Sequence, residues 1–278
     1  MSKFNICIAQ PDNYVHSMAF IELGELIHYS LKELGHDSDL YFNKIEQDRI
    51  NILFGCHLLN PSLITSFPKN TIVLNTEQIY QDSTNWNDNI FKWAEHFTVW
   101  DYSDKNIEKF HQLGITKTKH FKIGFQKELS RISPYPDQEV DVLFYGCIND
   151  RRKLILDNLV KSGLNIKILF GIYGDERDQW IRKSKVVLNH HFYNSQIFEI
   201  VRVFYLLTNS IAVVAEVNES TSIGEIYKPS ICATPYSSLV DSCINLVRDQ
   251  KARNITKKNA FDTILRYPQK TFTLEALG

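Results

Sequence analysis

No stretch of the chain approaches the about 18 consecutive apolar residues that cross a bilayer. The opening, MSKFNICIAQ, has neither the length nor the cleavage-site pattern of a secretory signal. The expectation is a soluble, cytoplasmic protein with no integral membrane segment. The five cysteines (Cys7, Cys56, Cys147, Cys232 and Cys243) include no CxxC pair and no zinc spacing. Most sit in apolar segments, as reduced structural thiols do. Neither charge sign dominates, with 31 Lys and Arg against 32 Asp and Glu, so no broad field exists to hold nucleic acid or an anionic membrane. No G-x-G-x-x-G follows either of the two strands that would open a nucleotide fold, which argues against a nicotinamide enzyme. Internal repeats and low-complexity tracts are also missing.

What remains is 278 residues, 44% of them hydrophobic, enough for about two domains of ordinary size. Short apolar runs alternate with longer amphipathic ones, the rhythm of parallel strands joined by crossover helices. In the first half, strands are predicted at Asn5 to Ala9, Ser38 to Phe42, Asn51 to Phe54, Thr71 to Asn75, Phe97 to Trp100 and His120 to Ile123. A helix is predicted from Met18 to Leu34, where Phe20, Leu23, Ile27, Leu31 and Leu34 recur at helical spacing and Gly35 is the stop.

Two prolines in Ser133-Pro134-Tyr135-Pro136-Asp137 disfavour both helix and central strand, and mark a boundary. The pattern then restarts with strands at Val140 to Tyr145, Ile166 to Phe170, Lys185 to Leu188 and Ile211 to Ala215, and a short one at Ser230 to Ala233. Helices fit at Arg151 to Ser162, Asp175 to Lys183, Phe198 to Thr208 and Ser238 to Asp249; Ala252 to Leu277 is helical with a break at Pro268. The reading is an α/β fold of two Rossmann-like lobes with a cleft between them. Residues 1–133 are expected to form the first lobe, 138–255 the second, and 256–278 a C-terminal helical segment that either caps the second lobe or packs back.

Ligands of open α/β sheets bind outside the carboxyl ends of the strands, so the strand-to-helix turns hold the candidate residues. The strand Asp141-Val142-Leu143-Phe144-Tyr145 ends in Gly146 and leads to Asn149-Asp150-Arg151-Arg152. Glycine lets a ligand approach the backbone, a helix N-terminus attracts phosphate, and arginine adds bidentate anion recognition. The turn therefore reads either as a diphosphate subsite or as an ordinary cap with solvated arginines. Downstream, Ser195 is a candidate N-cap, and Glu199 and Arg202 lie three apart within an otherwise apolar helix. That pair is either a surface ion pair or two buried charges that need a partner.

His190 and His191 follow a strand end, a position suited to hydrogen bonding a donor; without a third ligand they make a poor metal site. Glu216 ends the strand Ile211 to Ala215, where it can accept from sugar or ribose hydroxyls or cap the loop. In the first lobe His16 precedes Ser17 at a helix start and is a candidate general base; the alternative is Ser17 as N-cap and His16 as a loop residue. Three more strand ends carry polar groups: Gly55-Cys56-His57, Asn75-Thr76-Glu77-Gln78 and Trp100-Asp101-Tyr102-Ser103.

The order of second-lobe features carries more than any one of them: strand-Gly146-x4-Arg151-Arg152, then Phe198-Glu199-x2-Arg202, then Asn209-Ser210-Ile211-Ala212-Val213-Val214-Ala215-Glu216. This order, with Tyr236 to Val240 and Arg248 to Ile255 after it, resembles the donor domain of GT-B glycosyltransferases, particularly those related to glycosyl transferases group 1. Ser210 stands where that group has glycine, Ala212 where it has proline, and the paired-glutamate motif is absent.

The resemblance implies transfer of a sugar from a nucleotide-diphosphate sugar donor to a hydroxyl of a glycan or small-molecule acceptor, without metal or cofactor. Glu199 would then bind donor sugar or ribose and act with His16 in catalysis, while Gly146, Arg151, Arg152, His190, His191, Arg202 and Glu216 bind donor. Asp37-Ser38-Asp39, the nearest approach to a metal-binding Asp-x-Asp, lies at a strand start, a poor place for donor diphosphate. A sugar-nucleotide epimerase and a non-catalytic sugar-nucleotide-binding protein are the alternatives.

Overall fold

The computed structural model describes residues 1–79 and 85–278, the side chains of 85–87 excepted. It divides into two compact units, Met1–Gln126 with Pro268–Gly278, and Lys127–Tyr267.

The first unit is built on six parallel strands, β1 (Lys3–Ile8), β2 (Asp37–Phe42), β3 (Ile50–Phe54), β4 (Ile72–Asn75), β5 (Thr98–Asp101) and β6 (Thr118–His120), in the order β2-β1-β3-β4-β5-β6. Crossovers include α1 (Ile21–Glu33), α2 (Asn85–Ala94) and α3 (Asp104–Gln112). Five of the six residues of β1 are buried, as expected of a parallel strand covered on both faces. Helix α1 turns Leu23, Ile27 and Leu31 inward, and Gly35 ends its last turn at φ 80°, a left-handed conformation that costs glycine little.

Three sequence expectations shift. The predicted start of the first helix is a 3-10 turn, Val15–Phe20, and the α-helix begins at Ile21. Helices α2 and α3 fall in segments with no helical assignment from sequence. The sixth strand lies at Thr118–His120, one residue of overlap with the expected His120 to Ile123. Phe121 and Ile123 are apolar because they are buried; the Phe121 N–H still donates to the Asp101 carbonyl at 2.7 Å and its ring stacks on Trp100 at 5.0 Å, but the strand ends at His120.

The second unit has five parallel strands, β7 (Val140–Tyr145), β8 (Ile166–Leu169), β9 (Ser184–Asn189), β10 (Val213–Glu216) and β11 (Cys232–Thr234), in the order β11-β10-β9-β7-β8. Helices α4 (Asp150–Lys161), α5 (Gly174–Arg182), α6 (Ile200–Thr208), α7 (Leu239–Arg248) and α8 (Gln250–Leu265) complete it. Counted from its own first strand, the sheet runs 2-1-3-4-5, a doubly wound order whose direction reverses between β7 and β9. Val142, Phe144, Val186 and Val214 from the strands meet Ile155, Leu159, Leu239 and Leu246 from the helices in its core.

The segment 256–278 is divided between the units. Helix α8 stays with the second, and the chain returns at Pro268 into α9 (Gln269–Leu277) of the first. There the Gln269 amide N–H donates to Phe125 O at 2.8 Å, Gly124 N–H donates to Gln269 Oε1 at 2.6 Å, and the Ser30 and Thr273 hydroxyls bond at 2.8 Å. Four polar contacts of this kind, with Lys119 Nζ on the Ala276 carbonyl, hold the last helix against the elements it rejoins.

Candidate functional site

The second unit's sheet reverses direction between β7 and β9, and eight of the residues singled out from sequence converge at the carboxyl end of its strands. Strand β7 leads into Gly146, whose φ of 135° is one that residues with a side chain rarely adopt. A Cβ there would lie 3.0 Å from Arg202 Nη1 and 3.5 Å from Arg152 Nη1. The missing side chain makes room for two guanidiniums. Asn149 caps α4, accepting from Arg152 N–H at 2.9 Å, and its amide donates to Phe192 O at 2.9 Å, which ties the turn after β7 to the loop after β9.

Arg152 is only 2% exposed. Its Nε and Nη2 donate to the His190 carbonyl at 3.0 and 2.6 Å, its Nη1 to the Cys147 carbonyl at 2.9 Å, and its Nη2 to Glu199 Oε1 at 3.0 Å. A buried cation is sustained only by such pairing. Glu199 stands at the N-cap of α6, which begins at Ile200; the predicted helix began at Phe198 with Ser195 as its cap. Its second oxygen lies 3.2 Å from Arg202 Nη1, an ion pair without hydrogen-bond alignment. Burial alone would raise the Glu199 carboxyl, but Arg202 and Arg152 hold it below the ordinary carboxylate range. Arg202 also donates to the Tyr145 carbonyl at 3.1 Å, and its side chain is 34% exposed.

Glu216 ends β10 and is internally saturated. It pairs with both Nη groups of Arg151, accepts from His191 N–H at 3.0 Å and from Asn218 Nδ2 at 2.6 Å. The Arg151 guanidinium lies 4.0 Å over the Tyr236 ring, whose hydroxyl donates to Arg151 O at 2.8 Å. These contacts fasten the end of β10 to the loops after β9 and β10.

His190 is 1% exposed, and among the described residues neither ring nitrogen has a hydrogen-bond partner. Burial, then the neighbouring Arg152, push its pKa down to about 3, so the ring is neutral near pH 7. His191 is shifted down as well, burial first, and its Nε2 lies 3.3 Å from Thr221 Oγ1. Buried polar atoms without a partner are rare and mark a place for water or ligand.

His16 belongs to the first unit, half-buried in the 3-10 turn with its ring 5.3 Å from Tyr14. Ser17 does not cap: its hydroxyl donates to the Ala9 carbonyl at 2.7 Å, a bond set by the return of the chain over β1. Sequence reasoning did not single out Tyr205, whose hydroxyl bonds Asp178 at 2.5 Å and accepts from Arg131 Nε at 2.9 Å. It also missed Asn209, which accepts from the Arg131 and Ile132 amides at 2.7 Å. A tyrosine within the apolar run of α6 and an asparagine at its C-cap were the available signal. Among the described residues no three His, Cys, Asp or Glu side chains form a metal-binding group.

No protein-family model matches the chain. It is 28% identical over 218 residues to uncharacterized protein L140 of Acanthamoeba polyphaga mimivirus, covering 75% of this chain and 69% of that one. It is 26% identical over 221 residues to uncharacterized protein L137 of the same virus, of whose length it spans only 28%. Among solved structures, a mutant of the T4 phage glucosyltransferase BGT in complex with UDP-glucose superposes with a TM-score of 0.65 at 13% identity, covering 100% of this chain and 98% of that one. WaaG, a glycosyltransferase involved in lipopolysaccharide biosynthesis, superposes at 0.62 and 9% identity, covering 98% of each. The fold is that of the GT-B glycosyltransferases.

Proposed function

We propose that the protein is a glycosyltransferase that moves a sugar from a nucleotide-diphosphate donor to a hydroxyl of a glycan or small-molecule acceptor. The observation that carries this reading is the set of groups at the β7/β9 reversal: the turn at Gly146, a partly exposed arginine, a buried glutamate and an unpartnered neutral histidine. Fold alone is a weak argument for activity; these groups are of the kinds that a diphosphate and sugar hydroxyls require.

In this reading the diphosphate lies against the N-terminus of α4 and Arg202, where helix dipole and guanidinium meet its charge. Glu199 and the two histidines take hydroxyls of ribose or donor sugar. Arg152 positions Glu199 and the His190 carbonyl, and Glu216 positions Arg151 and His191. Stabilising the departing diphosphate is the main catalytic contribution, made by arginines and backbone dipoles without a protein-held metal. His16 is assigned to the acceptor side. The five cysteines are unbridged, which fits a cytoplasmic setting.

The test is release of nucleoside diphosphate from a panel of nucleotide sugars, with and without sugar acceptors, in the presence of a chelator. Acceptor-dependent release that falls at least a hundredfold in Arg202→Ala is expected. Epimerised donor with no acceptor requirement would replace transfer by the epimerase reading.

A further inference from the structure

The first unit carries a second polar centre, distinct from the groups assigned above, at the carboxyl ends of three adjacent strands. Its most accessible group is Glu77, after β4. The Glu77 backbone is held on both sides: its N–H donates to Asn75 Oδ1 at 3.2 Å, and its carbonyl accepts from Asn75 Nδ2 and Asn106 Nδ2, each at 2.9 Å. Both asparagines are in turn fixed by the fully buried Asp101 at the end of β5, which accepts from Asn75 at 2.7 Å and from Asn106 at 3.0 and 3.1 Å.

A carboxylate positioned through two asparagines and a buried aspartate is more constrained than an ordinary loop residue, yet its side chain remains 31% exposed. Across from it, after β3, His57 Nε2 lies 3.9 Å from Glu77 Oε1, and burial lowers the imidazole to about pKa 4, so it is neutral near pH 7. The Ser103 amide donates to Asp101 Oδ1 at 2.8 Å, while its buried hydroxyl neither caps α3 nor has a partner among the described residues. The first sheet reverses between β1 and β3, and His57 follows β3, so this centre borders the reversal where such sheets bind ligands.

We infer that Glu77, with His57 beside it and Asp101 as a positioning residue behind it, binds a hydroxyl of a neutral sugar. An ionised carboxylate accepts from hydroxyls, and a neutral imidazole and a serine hydroxyl both give and take hydrogen bonds. That set suits a polyol better than a phosphate, which a carboxylate repels. The inference deepens the proposed function, naming the acceptor class as sugar, and rests on it for the identity of the reaction.

The test uses the full chain and free glucose, galactose, mannose and N-acetylglucosamine as probes, read by saturation-transfer NMR at millimolar concentration. Nucleoside diphosphate binding is measured on the same samples. At least one sugar is expected to bind, to weaken at least tenfold in Glu77→Gln and in Asp101→Asn, and to recover in part in Glu77→Asp, with nucleotide affinity unchanged throughout. Thermal unfolding of each variant separates lost binding from lost fold, and only variants that remain folded count. Sugar binding that is absent in the wild type or unchanged in Glu77→Gln overturns the inference, as does binding of ethanolamine in place of every sugar. Loss of nucleotide binding in the wild type would instead overturn the donor assignment, so the two failures are distinguishable.

Discussion

Replacing Glu199 with glutamine separates its two jobs, neutralising buried arginines and receiving a donor hydroxyl. Its oxygens lie 3.0 Å from Arg152 Nη2 and 3.2 Å from Arg202 Nη1. Breaking a buried ion pair costs about 3 to 5 kcal/mol, and the amide oxygen of glutamine keeps one acceptor, so about 3 kcal/mol is expected. For a domain of this size that lowers the melting temperature by about 6 to 12 °C. Ligand affinities respond differently.

Inorganic pyrophosphate meets only the cationic groups, so removing a nearby negative charge leaves its affinity equal or greater. A nucleotide sugar, which carries both the ribose and the donor-sugar hydroxyls, loses a hydrogen bond to a charged acceptor, worth about 1.5 to 3 kcal/mol, or about a 10- to 150-fold loss of affinity. The assay is calorimetric titration of wild type and Glu199→Gln with both ligands at fixed salt. The ratio of their affinities should fall at least tenfold in the variant. An unchanged ratio, with both proteins folded, refutes the role given to Glu199.

Two further outcomes follow from the geometry. Gly146→Val places a Cβ 3.0 Å from Arg202 Nη1 on a backbone at φ 135°; nucleoside diphosphate binding should be lost and the melting temperature should fall, and a stable variant with native affinity would contradict the packing described. Burial pushes the Asp101 carboxyl up to about 7, with nearby Asp104 adding to the shift and hydrogen bonds from Asn75, Ser103 and Asn106 opposing it. A raised native pKa means the folded state holds a proton that the unfolded state releases, so this contribution is full below about pH 4 and is lost as pH rises toward about 7. The melting temperature of Asp101→Asn relative to wild type should therefore climb across that window, and a difference independent of pH would show that Asp101 is ionised throughout.

Much of the scaffold was legible in sequence because parallel strands covered on both faces need continuous apolar runs. Val140 to Tyr145 matches β7 residue for residue, and Asn51 to Phe54 differs from β3 by one. Alternation signals burial more than pairing, which is why Phe121 and Ile123 were read as strand. Two charges inside the apolar run Ile197 to Leu207 signal that Glu199 and Arg202 need partners, since buried charge is costly, and both are paired in the fold. The internal wiring was not legible. The link from Arg151 to Glu216 spans 65 residues, and the link from Arg152 to the His190 carbonyl spans 38. Bonds to a main-chain carbonyl leave no mark in side-chain identity, and the saturation of Glu216 by Asn218 and His191 appears only once the loops are folded together.

A donor site at the β7/β9 reversal requires that a nucleoside diphosphate bind there, and calorimetric titration of the full chain with UDP, GDP, ADP and TDP addresses this directly. At least one should bind saturably, at least tenfold more weakly in Arg202→Ala with the fold retained. Absence of binding by all four in the wild type, or an affinity untouched by Arg202→Ala, contradicts it.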